Sequence, residues 1–493
     1  MALSELTFLI IISIFGLSLL FIFVYSLAQI ELVFRYLKKG KRTELITDKS
    51  YTPSVCIQLP IFNELYVSSR LLEAVVKINY PGDLLEIQVL DDSTDDTQGI
   101  LKKEVSTYQQ QGVNISYLHR TDRKGYKAGA LEEGLKQTNA ELIAIFDADF
   151  VPSPDFLQQT TPHFSNPKVG LVQSCWEHLN KEYSLLTKLQ AFGLDAHFSV
   201  EQVGRNAKGN FINFNGTAGI WRKTCILDAG NWNADTLTED LDLSYRAQLK
   251  NWDFIYLEDL KSPAELPPVM SALRSQQYRW TKGGAETARK HLITILKSKK
   301  SFSDKWHGTF HLLNSSIFVC ILVSSILSLP MLYLKQELPQ YDQLFIYSSV
   351  FLFSFVSISA LYAVSSVQKQ PSKSKGWWYF LKHYPLFLSF SMGLSFHNAV
   401  AVIEGFLGRK TPFVRTPKFN IEANSKSLKN NSYIKQKLSG FVLAEGILFL
   451  YFLTGLICAF TYVDFSLFFF HLLLCCGFGM VFFYSLHQPS ANN

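Results

Sequence analysis

Leu142-Ile143-Ala144-Ile145-Phe146-Asp147-Ala148-Asp149 lays down five apolar residues and then places two carboxylates one residue apart. A short apolar run that ends in polar residues reads as a strand buried on both faces. Two like charges at its end repel, so something cationic must sit with them. Working outward, similar runs recur at residues 55–59, 87–90 and 113–118. Between them, residues 65–78, 98–109 and 128–138 repeat apolar side chains at three- and four-residue spacing, as helices do. Strands and helices in alternation predict an α/β domain with a mostly parallel sheet and crossover helices. Ligands of such sheets bind at the carboxyl ends of the strands. The polar clusters fall there: Asn63 and Glu64 after the first run, Asp91 to Asp96 after the second, Asp147 and Asp149 after the fourth.

The rest of the 493 residues has a different solvent. At 48% hydrophobic and 14% aromatic, the chain is too apolar to be wholly water-soluble. Thr7 to Ile30 carries no charge, is long enough to cross a hydrocarbon core of about 30 Å, and reads as an uncleaved transmembrane helix. Arg35, Lys38, Lys39, Lys41 and Arg42 follow it, the positive-inside pattern, which places the next region in the cytosol. The net charge of +6 therefore reflects membrane flanks, and no nucleic acid partner is expected. Further uncharged runs lie at residues 311–334, 343–367, 385–403, 439–463 (interrupted by Glu445) and 465–486. Both flanks of the 385–403 run are basic, so it is expected to be re-entrant or interfacial. That leaves five spanning helices in the lipid bilayer, with the amino terminus outside and the carboxyl terminus inside. The seven cysteines show no C-x-x-C spacing and read as free thiols. The chain is expected to divide into a membrane helix with basic linker (1–50), a cytosolic domain (51–290) and a membrane region (291–493).

An Asp-x-Asp at a strand end offers oxygen donors to one Mg²⁺ or Mn²⁺ that arrives with a diphosphate, although taken singly such a pair is more often a turn or cap. Asp91-Asp92 repeats the arrangement, or else is a solvated turn with Ser93 or Thr94 capping the next helix. Lys127 opens a helix, where an ammonium and a positive dipole end suit phosphate oxygens; an exposed lysine is the alternative. Thr236 to Glu239 fits a capping box, and Asp240 just beyond it is a candidate general base for a hydroxyl nucleophile. Gln276, Arg279 and Trp280 share a helical face that offers an amide, a guanidinium and an indole to a sugar phosphate, or lie on an amphipathic helix at the membrane surface. No dinucleotide fingerprint or P-loop is present.

Taken in order, Gln58-Leu59-Pro60-Ile61-Phe62-Asn63-Glu64, Asp91-Asp92, Asp147-Ala148-Asp149, Phe214-Asn215-Gly216-Thr217, Thr238-Glu239-Asp240 and Gln276-x-x-Arg279-Trp280 resemble the membrane-bound family 2 glycosyltransferases. The likeness is to the cellulose synthase superfamily, and within it to the mannan and glucomannan synthases. It implies a GT-A nucleotide-sugar domain set in a bundle of transmembrane helices, and inverting transfer from GDP-mannose or UDP-glucose to a β-linked polysaccharide, processive and coupled to export. A non-processive enzyme with a glycolipid acceptor is the alternative. By position, Asn63, Glu64, Asp91, Asp92, Lys127 and Asp147 would meet the nucleotide sugar. Asp149, and less directly Asp147, would hold the metal. Asp240 would be the base, and Glu239, Gln276, Arg279 and Trp280 would lie at the acceptor and diphosphate. Within residues 409–437, Phe413, Thr416 and Lys418 match a gating loop; Arg415 departs from it where Val is expected.

Overall fold

The computed structural model describes residues 3–38, 48, 50–341, 343, 349–421 and 440–487. Lys39, Lys41 and Arg42 of the basic linker, and the gating-loop-like segment beyond residue 421, lie outside the described residues.

Seven strands form one sheet: β1 (Val55–Ile61), β2 (Leu85–Asp91), β3 (Ile115–His119), β4 (Leu142–Ile145), β5 (Val169–His178), β6 (Gly219–Arg222) and β7 (Asp253–Ala264), in the spatial order β3-β2-β1-β4-β6-β5-β7. The first four are mutually parallel, and β7 is parallel to β5. Only β6 runs against its neighbours β4 and β5. The mostly parallel α/β sheet expected from the sequence is therefore present. It carries three strands after residue 165 that the apolar runs did not reveal.

Both faces of the sheet are covered, which is why β1 and β4 read as continuous apolar runs. Successive side chains point to opposite faces. Ile57, Leu59, Leu142 and Ala144 enter one core, while Cys56, Ile143 and Ile145 enter the other with the fully buried Trp221. Register then fixes the working edge: Ile61 lies opposite Asp91, and Gln58 opposite Ile145, so the ends of β1, β2 and β4 open on the same side.

After the amino-terminal helix α1 (Leu3–Leu37), the crossover helices are α2 (Ser68–Val76), α3 (Thr97–Gln110) and α4 (Tyr126–Lys136), followed by α5 (Glu239–Leu249) and the long α6 (Met270–Lys297). Two expected caps do not form. Asp96 occupies the N-cap position of α3 without a side-chain capping bond, and the Ser93 hydroxyl accepts the Asn63 N–H at 2.8 Å, tying the β1 loop to the β2 loop. The capping box at Thr236–Glu239 is absent because α5 begins at Glu239, and the Thr238 hydroxyl lies 3.2 Å from Thr287 of α6.

Among the described residues, five helices are long and apolar enough to cross a membrane: 6–37, 314–337, 349–369, 440–461 and 468–486. The run expected to be re-entrant or interfacial is a pair of helices, Lys373–Gly393 and Ser395–Leu407, bent by 49° at their junction. Glu445, inside one apolar helix, is fully buried and ion-paired with Arg274 of α6. All seven cysteines are free.

Candidate active site

The two carboxylates after β4 each meet an ammonium. Asp147 Oδ1 accepts Lys127 Nζ at 2.6 Å, and Asp149 Oδ2 accepts Lys418 Nζ at 2.7 Å. Lys127 stands in the first turn of α4, which the left-handed Gly125 (φ 73°) turns toward the sheet edge. Burial alone would lower the pKa of Lys127, but Asp147, Glu239 and Asp240 more than reverse this, so the ammonium is held charged. The second oxygen of Asp149, Oδ1, is buried and has no hydrogen-bond partner.

Lys127 also donates to the Gly216 carbonyl at 2.7 Å. Gly216, at φ 81°, takes a backbone angle that strains other residues, and a Cβ there would crowd the site, 3.0 Å from Asp240 Oδ2 and 3.5 Å from Lys127 Nζ. Lys127 and Asp240 therefore meet at one glycine, and Asp147, from a third segment, joins them through Lys127. Asp240 sits in the first turn of α5, where its Oδ1 accepts the Leu241 N–H at 2.8 Å. Burial and the adjacent Glu239 push its carboxyl up to about 7, against the pull of Lys127. Burial raises Glu239 as well.

Helix α6 closes the opposite side. Burial lowers the pKa of Arg279, although the carboxylates of Glu239, Asp147, Asp240 and Glu64 oppose the shift. Gln276 is buried one turn before it, and Trp280 lies 6.4 Å from Trp176, which packs in turn on Phe150 and Phe198.

Residues 409–421 form a strap across the cleft. Phe413 stacks on Tyr126 at 5.6 Å between ring centres, and the Arg279 guanidinium lies 4.7 Å from the Phe413 ring centre. Arg279 Nη2 donates to Thr416 Oγ1 at 2.9 Å, and Arg415 Nη1 to Glu64 Oε2 at 3.0 Å. Glu265 secures the end of the strap: its two oxygens accept the N–H groups of Phe419 (3.0 Å) and Asn420 (2.9 Å). Burial raises both acids, Glu265 to about 7 with help from Asp149, and Glu64 to about 8 despite Arg415 and Lys418.

The β2 pair is held differently. Asp91 accepts the Ser93 N–H at 2.8 Å and the Tyr117 hydroxyl at 2.5 Å, and Asp92 takes a two-pronged contact from Arg120 at 2.8 and 2.6 Å. Asn63, at φ 54°, accepts the Thr94 N–H at 2.8 Å and so fixes the turn before Glu64. Sequence reasoning missed Tyr117, Arg120 and Glu265. Arg120 directly follows β3, as the acids follow β1 and β2, and that position was the available signal; Glu265 had none.

Residues 53–283 match the family described as Glycosyltransferase like family 2. The chain belongs to the family 2 glycosyltransferases. Glucomannan 4-beta-mannosyltransferase 7 of Arabidopsis thaliana is 43% identical to it over 282 residues, 56% of this chain and 50% of that protein. Glucomannan 4-beta-mannosyltransferase 1 of Cyamopsis tetragonoloba is 38% identical over 350 residues, 66% of each. The glycosyltransferase thus spans about half the length of the first of these curated relatives. Among solved structures, the mannosyltransferase PcManGT from Pyrobaculum calidifontis, in complex with GDP-Man and Mn²⁺, matches with a TM-score of 0.55 at 17% identity. That match covers 81% of this chain and 100% of the other, and shows the GT-A fold.

Proposed function

We propose that the chain is a membrane-embedded, inverting hexosyltransferase. It extends a β-linked polysaccharide from GDP-mannose or UDP-glucose on the cytosolic side and passes the product through its own helices. The observation that carries this reading is the meeting of Lys127 and Asp240 at Gly216, with Asp147 bonded to Lys127 and with Arg279 and Lys418 on the facing walls. The names of the relatives, glucomannan 4-beta-mannosyltransferases, support a mannosyl donor.

The donor's diphosphate enters between Lys127, Arg279 and Lys418, three cations that together suit its charge. Asn63, Glu64, Asp91 and Asp92 line the nucleoside end; the last two act by fixing the β1 and β2 loops through Ser93, Tyr117 and Arg120. Asp149 fits a divalent cation, since its buried Oδ1 is unpartnered and Lys418 on Oδ2 is a replaceable point charge. Among the described residues no three His, Cys, Asp or Glu side chains gather as a self-sufficient metal site, so Asp149 and Asp147 would share Mg²⁺ or Mn²⁺ with the diphosphate. That ion would neutralise the departing phosphate. The acceptor sugar stacks on Trp280, with Gln276 at its hydroxyls and Glu239 beside it. Asp240, with its pKa raised toward neutrality, removes the proton from the attacking hydroxyl. Phe413, Thr416 and Lys418 hold the strap over the donor.

The test is product analysis with purified protein, Mn²⁺ and each nucleotide sugar. A β-linked polymer from the wild type and none from Asp240→Asn is expected. A single-sugar glycolipid as sole product would replace the polymerase reading with a lipid-acceptor enzyme. Unchanged transfer by Asp240→Asn would remove the base.

A further inference from the structure

A cavity of about 270 Å³ lies away from the catalytic cleft, lined by Leu27 and Glu31 of α1 and by Phe302, Ser303 and Trp306 of the helix Phe302–Leu312. With α1 spanning the bilayer, Glu31 stands near its cytosolic end, just before Arg35 and Lys38, so the cavity lies at the headgroup level of that leaflet. The Glu31 side chain is 43% exposed. Its Oε1 accepts Arg35 Nε at 3.1 Å and Arg35 Nη2, whereas Oε2 takes one contact, from His307 Nε2 at 3.1 Å, and has room for another donor. Arg35 is buried and also donates to Asn210 and Ser303, and Asn210 donates in turn to Asp304 Oδ1 at 2.7 Å. Burial lowers the pKa of Lys300, and its acidic neighbours Asp304 and Asp253 oppose the shift. Burial and Arg35 push His307 down to about 4, which leaves its imidazole neutral near pH 7. The carboxylates of Glu31, Asp304 and Asp253 thus outnumber the cations Arg35 and Lys300, and Glu31 is the acid that reaches the cavity.

The other wall is aromatic. Phe302 and Trp306 have ring centres 6.3 Å apart and both border the cavity; Phe302 is 80% exposed, so its ring surface is open. Ring surface beside a carboxylate suits an ammonium group, which the ring quadrupole and the negative charge both attract. A primary ammonium also brings N–H donors for Glu31 Oε2, in charge-assisted hydrogen bonds that a quaternary ammonium cannot make. An anionic headgroup would be repelled by the same carboxylate. We infer that this cavity takes the ethanolamine headgroup of a phospholipid from the cytosolic leaflet, with Glu31 on the ammonium and Phe302 and Trp306 beside it. The inference rests on α1 crossing the membrane and is independent of the nucleotide-sugar reading. Such a lipid would brace the joint between α1 and the cytosolic domain, because Arg35 ties Glu31 to Asn210 of that domain.

The experiment is native mass spectrometry of the full-length protein in detergent, titrated with phosphatidylethanolamine, phosphatidylcholine and phosphatidylglycerol of identical acyl chains. Phosphatidylethanolamine is expected to fill one site at least about tenfold more tightly than phosphatidylglycerol, with phosphatidylcholine between them. Glu31→Gln is expected to remove the preference over phosphatidylglycerol. Phe302→Ala, a change at an exposed side chain, is expected to weaken phosphatidylethanolamine about threefold at an unchanged melting temperature and to leave phosphatidylglycerol as it was. Equal binding of the three lipids by the wild type, or tighter binding of phosphatidylglycerol, would overturn the inference. Phosphatidylcholine binding as tightly as phosphatidylethanolamine would overturn the primary-ammonium assignment. A folded Glu31→Gln that keeps the preference would remove Glu31 from the site; if that variant does not fold, unchanged phosphatidylethanolamine affinity in Phe302→Ala overturns the inference instead. A wild-type chain that stays in solution without detergent would refute the membrane reading on which the site depends.

Discussion

Asp91 and Asp92 end β2 much as Asp147 and Asp149 end the β4 loop, and the two pairs face the same cleft under opposite kinds of restraint. Tyr117, Arg120 and the Ser93 backbone hold the first pair, all from the next strand or the same loop. A guanidinium bound through two nitrogens is fixed in angle as well as distance, and it forms with the sheet. The second pair is countered by single ammonium groups, one from α4 and one from the strap, 269 residues away in sequence. A lysine is a point charge that another cation or a phosphate can draw off. Under the proposed function, the first pair is scaffold for the nucleoside loops, whereas the second is where charge would enter and leave during turnover.

Substitutions that treat the pairs alike should therefore give unlike results. The largest expected effect is on Asp149→Asn: kcat falls about a thousandfold, the several kcal/mol that a metal-stabilised leaving group supplies. Its loss of stability should be smaller than that of Asp92→Asn, because the cation it leaves, Lys418, is a single-contact ammonium on the strap. Asp92→Asn leaves Arg120 charged and unpaired in a mostly buried setting, and denaturant unfolding should show a loss of about 3 kcal/mol, with the lower activity following from that. A metal-independent Asp92→Asn defect with normal stability would break the distinction. Lys418→Met, which removes one charge-assisted contact, should raise the KM for the nucleotide sugar about tenfold with little change in melting temperature. The smallest effect is on pH. Asp240 must be ionised to act, and its pKa is raised to about 7, so kcat should be half-maximal near pH 7 and about fivefold lower at pH 6 than at pH 7. A kcat profile flat from pH 6 to pH 8 would remove Asp240 as the base.

What the sequence disclosed follows the same division. Leu142 to Ile145 and Val55 to Leu59 were legible as strands because both faces are buried and every residue but Gln58 is apolar. β6 was not: four residues set between Gly216 and α5 carry too little pattern, and the antiparallel turn they make depends on pairing with β4 and β5. Asp147, Lys127 and Asp240 could be named as candidates from their positions at strand ends and helix starts. That Lys127 and Asp240 meet at one glycine, with Asp147 bonded to Lys127, is a fact of tertiary packing. Lys418 with Asp149, Arg415 with Glu64, and Glu265 with the strap are contacts between distant segments, and no local periodicity encodes them. The capping box at Thr236 was misread for a related reason. Its residue types fit, but Thr238 is drawn to Thr287 of α6, and the helix starts later.

Manganese binding, followed by electron paramagnetic resonance in the presence of GDP, tests the contrast between the pairs most directly. Wild type and Asp92→Asn, compared at a temperature where both are folded, are expected to immobilise one Mn²⁺ per chain, and Asp149→Asn none. Retention of the ion by Asp149→Asn together with its loss from Asp92→Asn would reverse the assignment and contradict the account.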